Sequence, residues 1–243
     1  MRSFDMIERT PSVDDQQAFW DDWNRRWRTA DIDEFMSRQR EVALRWTSGN
    51  RVEQRILEVG CGVGWLSAAM SANGEVLGVD LSPASIELAR QKYPEATFQC
   101  GDFMTLEIPG TFDCIVTADA IGHVEDHAAF TRRAAELLRV GGRLVIMTQN
   151  PFVWTRYSQL SPVGPGQIRN WPSLKALKSL LADHFRILEV SSICPAGDRG
   201  ILRIANSRYV AGVLRRLIGR ERATALYERM LVGRELTVVA IKL

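Results

Sequence analysis

No run in this chain approaches the ~18 consecutive apolar residues that a membrane-spanning helix needs. The opening stretch, Met1-Arg-Ser-Phe-Asp-Met-Ile-Glu-Arg-Thr10, holds no apolar segment of secretory-signal length, so a cytoplasmic location is expected. Cysteine is scarce: Cys61, Cys100, Cys114 and Cys194 make no C-x-x-C pair. Three of them fall on or beside expected core strands, where they read as small reduced core residues. The three histidines are not interleaved with them at ligand spacing, so no metal site is expected. Charge of one sign is also lacking, since a net +2 over 243 residues does not by itself argue for nucleic acid or a membrane surface. There is no internal repeat and no low-complexity tract. What is present, 46% hydrophobic and 25% charged residues, suits one globular domain with added lobes.

The stretch Arg55-Ile-Leu-Glu-Val-Gly-Cys-Gly-Val-Gly-Trp-Leu-Ser-Ala-Ala-Met70 organises the rest. Ile56, Leu57 and Val59 read as a short buried strand. Gly60, Gly62 and Gly64 break it, and Leu66, Ala69 and Met70 follow at helical spacing. A glycine turn lets backbone N–H groups approach a ligand, and the helix behind it adds its positive end. A second strand, Glu75-Val-Leu-Gly-Val79, ends in Asp80, and an acid at that place can hold the two hydroxyls of a ribose. These features together point to a nucleoside-containing cofactor. The spacing is G-x-G-x-G, with Trp65 where a dinucleotide fingerprint has its third glycine, so a dehydrogenase is the weakest reading.

Glu58-Val-Gly-Cys-Gly-Val-Gly64 resembles motif I of the class I S-adenosylmethionine-dependent methyltransferases. Asp80-Leu-Ser-Pro83, Gly101-Asp102-Phe103, Phe112-Asp-Cys-Ile-Val116 and Leu138-Arg-Val-Gly-Gly-Arg-Leu-Val145 resemble the later motifs of that family, in order, over roughly residues 50–150. The resemblance implies an α/β Rossmann-like fold with a seven-stranded, mostly parallel sheet of order 3-2-1-4-5-7-6. It also implies S-adenosylmethionine as cofactor and S-adenosylhomocysteine as product. The cofactor residues carried over are Glu58, Gly60, Cys61, Gly62, Gly64, Asp80, Leu81, Asp102 near the adenine, Phe103, Ala118 and Asp119.

Before this core, residues 1–15 read as a polar arm. Trp20, Trp23 and Trp27 then fall on one helical face. That stripe either packs the helix down or lids the cofactor cleft and meets the acceptor. A second helix is expected from Asp33 to Trp46, so residues 1–48 form a helical extension and 49–243 the methyltransferase domain. Within the core, Ser82 and Pro83 read as helix cap and first turn. A helix capped by Asp126 is expected to end at Gly141-Gly142, ahead of a strand from Leu144 to Met147. Gln149 to Trp171 is rich in Pro, Gly and Ser and reads as a loop opened by Asn150-Pro-Phe152. Ser173 is expected to cap a helix, with strands from Phe185 to Ile193 and Glu235 to Ile241. Residues 194–234 are too many for a structureless loop and suggest a helical insert. Its arginines either coat a solvated face or, at Arg199 and Arg203, pair with an anionic substrate group.

For methyl transfer the protein must hold acceptor and methyl in line and prepare the acceptor. His123 stands where related quinone-biosynthesis O-methyltransferases carry a Glu-His pair, with Gly122 in place of the Glu. It is the candidate general base for a hydroxyl acceptor, or else it fixes the turn by hydrogen bonding. Tyr157 and Arg169 join the tryptophans as candidate acceptor contacts. The leading expectation is O-methylation of an amphipathic or anionic small molecule, with no nucleic-acid partner and no membrane span. RNA or protein methylation through the insert's arginines, N-methylation, and cofactor binding without turnover are the alternatives.

Overall fold

The computed structural model describes residues 10–27, 33–48, 54–197, 199–205 and 207–243. Two helices lead, α1 (Val13–Trp27) and α2 (Glu34–Thr47). The core then runs β1 (Arg55–Val59), α3 (Trp65–Met70), β2 (Glu75–Asp80), α4 (Pro83–Lys92), β3 (Thr97–Cys100), β4 (Phe112–Ala118), α5 (His127–Leu137) and β5 (Leu138–Gln149). It continues through α6 (Pro151–Tyr157), α7 (Leu174–Leu181), β6 (Phe185–Pro195), the helices α8 (Gly200–Ala205), α9 (Arg208–Ile218) and α10 (Arg220–Arg229), and β7 (Gly233–Lys242). The seven strands form one sheet in the order β3-β2-β1-β4-β5-β7-β6. β7 runs antiparallel between β5 and β6, and the other pairs are parallel.

The strands are apolar on both faces because helices cover both. Side chains alternate, so Leu57, Val79, Ile115, Leu144, Ile146 and Val238 meet α5 and α7 through Phe130, Ala134, Leu177 and Leu181. Ile56, Val76, Val116, Val145 and Val239 face the other way, against Val42 and Ala43 of α2 and Leu66 and Met70 of α3. α2 therefore covers the sheet itself, whereas none of the described α1 side chains belongs to the buried clusters.

Capping residues set several helix starts: Ser82, Asp126 and Ser173 each accept from a backbone N–H three residues on. Four expectations are corrected. α5 ends at Leu137, and β5 begins at Leu138 against Phe112, so Gly141-Gly142 lies inside the strand segment at a register shift. Asn150-Pro151 opens a helix instead of a loop: Asn150 Oδ1 accepts from Phe152 N at 3.2 Å and Pro151 takes the first position. α1 begins at Val13, inside the stretch read as a polar arm, and residues 1–9 of that arm lie outside the described residues. The insert holds α8 in addition to the two helices its apolar spacing indicated.

Candidate cofactor and acceptor site

The turn after β1 is pinned to the end of β2. Gly60 N and Cys61 N donate to Val79 O at 2.8 and 3.1 Å, and Gly62 N donates to Asp80 Oδ2 at 2.7 Å. Asp80 Oδ1 accepts from Ser82 N at 2.9 Å. Gly62 has φ +52°, and a Cβ there would enter the cavity with nothing nearer than Asn24 Oδ1 at 4.0 Å. Gly64 is glycine for a different reason: a Cβ would strike Phe98 at 2.7 Å and Ala89 at 2.9 Å, so it serves packing. Glu58 is buried and accepts the Ser67 hydroxyl. Burial, with Asp80 and Glu58 close by, pushes the Cys61 thiol well up, which leaves it protonated and unreactive.

A cavity of about 240 Å³ opens at the carboxyl ends of β1, β2, β4 and β5. Gly60, Gly62, Asp80, Leu81, Asp102, Phe103, Ala118, Asp119 and His123 all line it. Asp102 Oδ1 accepts from Met104 N at 2.9 Å, and Phe103 packs on Phe130 with ring centroids 4.9 Å apart. Glu58 and Cys61 lie on a smaller adjoining cavity that shares Gly60, Gly62, Ala118 and Asp119. Gly64 lines neither.

α1 forms the outer wall. Gln16, Trp20, Trp23 and Asn24 line the cavity, and Asp21 accepts from the Ser82 hydroxyl at the start of α4. The segment after α6 backs this helix, with Gly164 against Phe19 and Gly166 against Asp15. The side chain of Trp27 lies outside what the structure describes.

His123 ends the 3-10 turn Ala120–His123 after β4. Its Nδ1 lies 2.7 Å from Ile168 O, and only an N–H can bond a carbonyl, so Nδ1 carries the proton. Nε2 is thereby left as the acceptor. The Trp20 ring meets the imidazole edge-on at 4.6 Å. Burial holds the His123 pKa below the usual histidine value, and the Arg169 charge acts in the same direction against the Ile168 bond and Asp119.

A polar cluster lies where the two cavities share Asp119. Asp119, at φ +68°, accepts from Gln149 Nε2 at 2.8 Å and from Gln39 Nε2 at 3.3 Å. Gln39 Nε2 also lies 2.8 Å from Glu235 Oε1. Glu235 is wholly buried, and burial beside Asp119 holds its carboxyl well above the ordinary range. Gln149 lines the larger cavity and Gln39 the smaller, with Glu235 buried behind Gln39, and the motifs mark none of the three. Gln149, a polar residue ending an apolar strand, carried a faint signal, whereas Gln39 and Glu235 needed the packing of α2 and β7.

The other candidate acceptor residues lie off the cavity. Tyr157 packs on Phe152 at 5.5 Å, and its carbonyl accepts from Arg199 N. Arg199 and Arg203 are exposed on the insert. Arg169 donates to Ser161 O at 2.7 Å and stacks 5.3 Å over Trp171. Among the described residues, no lysine or arginine lines the larger cavity. Among the described residues, no group of three His, Cys, Asp or Glu is placed to hold a metal ion.

Residues 57–146 match the family model described as "Methyltransferase domain". Over these residues the core is similar to a methyltransferase domain, and the sheet order is that of the class I S-adenosylmethionine-dependent methyltransferase fold. Among curated proteins, the ubiquinone biosynthesis O-methyltransferase of Xanthomonas campestris is 37% identical over 103 residues, 40% of this chain and 43% of that protein. Its counterpart from Xylella fastidiosa is 38% identical over the same length. The chain thus aligns with less than half the length of these relatives. Solved structures share the fold more widely. A Mesorhizobium loti S-adenosylmethionine-dependent methyltransferase superposes with TM-score 0.59 at 23% identity, over 84% of this chain and 97% of that one. The N-methyltransferase NodS from Bradyrhizobium japonicum, solved with S-adenosylhomocysteine, gives 0.63 at 14% identity, over 92% and 97%.

Proposed function

We propose that this protein transfers the methyl group of S-adenosylmethionine to a hydroxyl oxygen of a small, amphipathic acceptor. The observation that carries the reading is His123: a neutral imidazole in the cavity wall, its Nδ1–H committed to Ile168 O and its Nε2 left to accept. The residues suit the cofactor, because the space that a Cβ on Gly62 would fill is cavity and Asp80 borders it. When bound, S-adenosylmethionine supplies an electrophilic methyl group. Asp80 would hold the ribose, Asp102 and Phe103 the adenine, and Asp119 with Gln149 and Gln39 the charged amino-acid end. His123 Nε2 removes the acceptor's proton as its oxygen becomes nucleophilic. Trp20 and Trp23 offer flat apolar faces to the acceptor's body and keep water away.

The described lining holds acids and no lysine or arginine, which favours an uncharged amphipathic acceptor over an anionic one. The same acids favour N-methylation of an amine as the second reading. RNA or protein methylation has less support, because the arginines that would meet a polyanion lie on the insert and not around the cavity. The deciding experiment offers labelled S-adenosylmethionine with matched phenol, alcohol, amine and total-RNA panels. Label on phenols or alcohols is the expected result. Label confined to amines or RNA would overturn the reading.

A further inference from the structure

The helices between β6 and β7 carry apolar side chains that nothing in the described fold covers. On α9, Tyr209 is 88% exposed, Leu217 76% and Val213 57%, with Val210 exposed beside them. Positions 209, 210, 213 and 217 fall on one side of a helix, so these residues form a continuous stripe. Ile204 of α8, Leu226 of α10 and Met230 just after it are exposed as well. α9 packs chiefly on α8 and α10, and the sheet does not shelter it. A single exposed leucine is ordinary, but an aligned apolar stripe marks a surface meant for contact.

The charge around this stripe is predominantly positive. Residues 194–234 contain nine arginines and no lysine against three acids, Asp198, Glu221 and Glu228. Glu228 is already engaged by Arg38 of α2. Arg199, Arg203, Arg216, Arg222 and Arg229 are exposed, and Arg216 flanks the α9 stripe. The chain's small net charge conceals this local excess.

An amphipathic helix with apolar and basic residues together lies in the headgroup plane of a bilayer, with its apolar side in the acyl boundary. Arginines near the surface then meet lipid phosphates. No described helix is long and apolar enough to cross a membrane, so the contact is one of lying on the surface. A second copy of the chain would be a poorer occupant, because two-fold pairing of the stripe brings like-charged arginines together. Nucleic acid would satisfy the arginines and leave the stripe in water. The placement also matters. β7 begins where β5 ends, with Glu235 paired to Gln149, so the insert rises from the sheet edge at which the cavity opens.

We propose that the α9 face docks on an anionic lipid bilayer, with Tyr209, Val213 and Leu217 entering the headgroup boundary and the insert's arginines meeting lipid phosphates. The inference is independent of which acceptor is methylated. The test uses the full chain with saturating S-adenosylhomocysteine and sediments it with vesicles of phosphatidylcholine alone or mixed with phosphatidylglycerol. Binding should be at least about tenfold tighter to the anionic vesicles and should weaken as salt rises. The double substitution Val213→Glu with Leu217→Glu should weaken it by about tenfold or more and leave S-adenosylhomocysteine affinity unchanged. Failure to bind anionic vesicles, or equal binding by the double variant, would overturn the proposal. So would a wild-type dimer that ignores vesicles and that the double substitution dissolves, since the face would then join two copies.

Discussion

Asp80 accepts one N–H from the glycine turn and one from the start of α4 while it borders the cavity. Asp80→Ala therefore removes a ribose contact and also loosens the turn that shapes the cradle. Hydrogen bonds to a charged group are worth about 1.5–3 kcal/mol each, so S-adenosylmethionine affinity should fall by at least about tenfold. Calorimetry showing unchanged affinity would refute the ribose role. Gly62→Val should be worse still, because its side chain would occupy the cavity and the backbone would be strained at φ +52°. For His123 the sign of the pH effect follows from burial. A lowered pKa keeps the imidazole neutral, and so able to act as a base, to below its ordinary ~6.5. Turnover should hold through neutrality and fall on the acid side at a pH below that value. His123→Ala should reduce turnover by about 10²-fold, abolish the acid limb and leave cofactor affinity nearly unchanged. Normal turnover in that variant would make His123 a residue that only fixes its turn.

Among the elements, α1 is joined to the site by its side chains rather than by the core. Asp21 reaches Ser82, Trp20 meets His123, and Asn24 faces Gly62. Deleting residues 1–30 should leave the sheet folded, since none of the described α1 side chains belongs to the buried clusters. It should abolish acceptor methylation and, because Trp20, Trp23 and Asn24 share the wall, lower cofactor affinity by about tenfold. Circular dichroism, cofactor calorimetry and turnover separate these effects, and a truncated protein with full turnover would reduce α1 to packing. Elements were legible where local chemistry agreed with global packing, as at the capped starts of α4, α5 and α7. The start of β5 is hidden in the sequence because Gly141-Gly142 looks like a helix end, whereas Leu138 pairs with Phe112 across the register shift. Asn150-Pro151 is a capping pair that opens α6, but its sequence is ambiguous because Pro also marks turns. Within the site, the glycine turn and Asp80 could be read because they are contiguous motifs. Gln39 and Glu235 could not, since they stand 196 positions apart and meet only once α2 and β7 pack.

For the whole molecule, strand order decides where ligands can sit. Connections leave β1 toward β2 and β3 on one side and arrive at β4 and β5 on the other, so a crevice opens between the carboxyl ends of β1 and β4. The antiparallel β7 begins at this edge and buries Glu235 beneath it, within reach of Gln39 and with Asp119 nearby. Burial and the Asp119 charge hold the Glu235 pKa well above its ordinary value, against the weaker opposing effects of the Gln39 bond and Arg234. A folded-state pKa raised above the unfolded value favours folding fully at pH below that unfolded value. The unfolded chain releases this proton near pH 4.5 while the folded chain retains it. The Glu235 contribution should therefore decline as pH rises above about 4.5, by up to about 1.4 kcal/mol per pH unit, until the folded pKa is passed. Glu235→Gln keeps the shape and an oxygen for Gln39 but cannot titrate, so it provides the reference. Urea unfolding of both proteins at pH 5 and pH 7, without cofactor, should show the wild type losing stability relative to the variant at the higher pH. A stability difference that stays constant between the two pH values would mean that Glu235 is already ionised in the folded protein, and the buried proton assigned to this cluster would not exist.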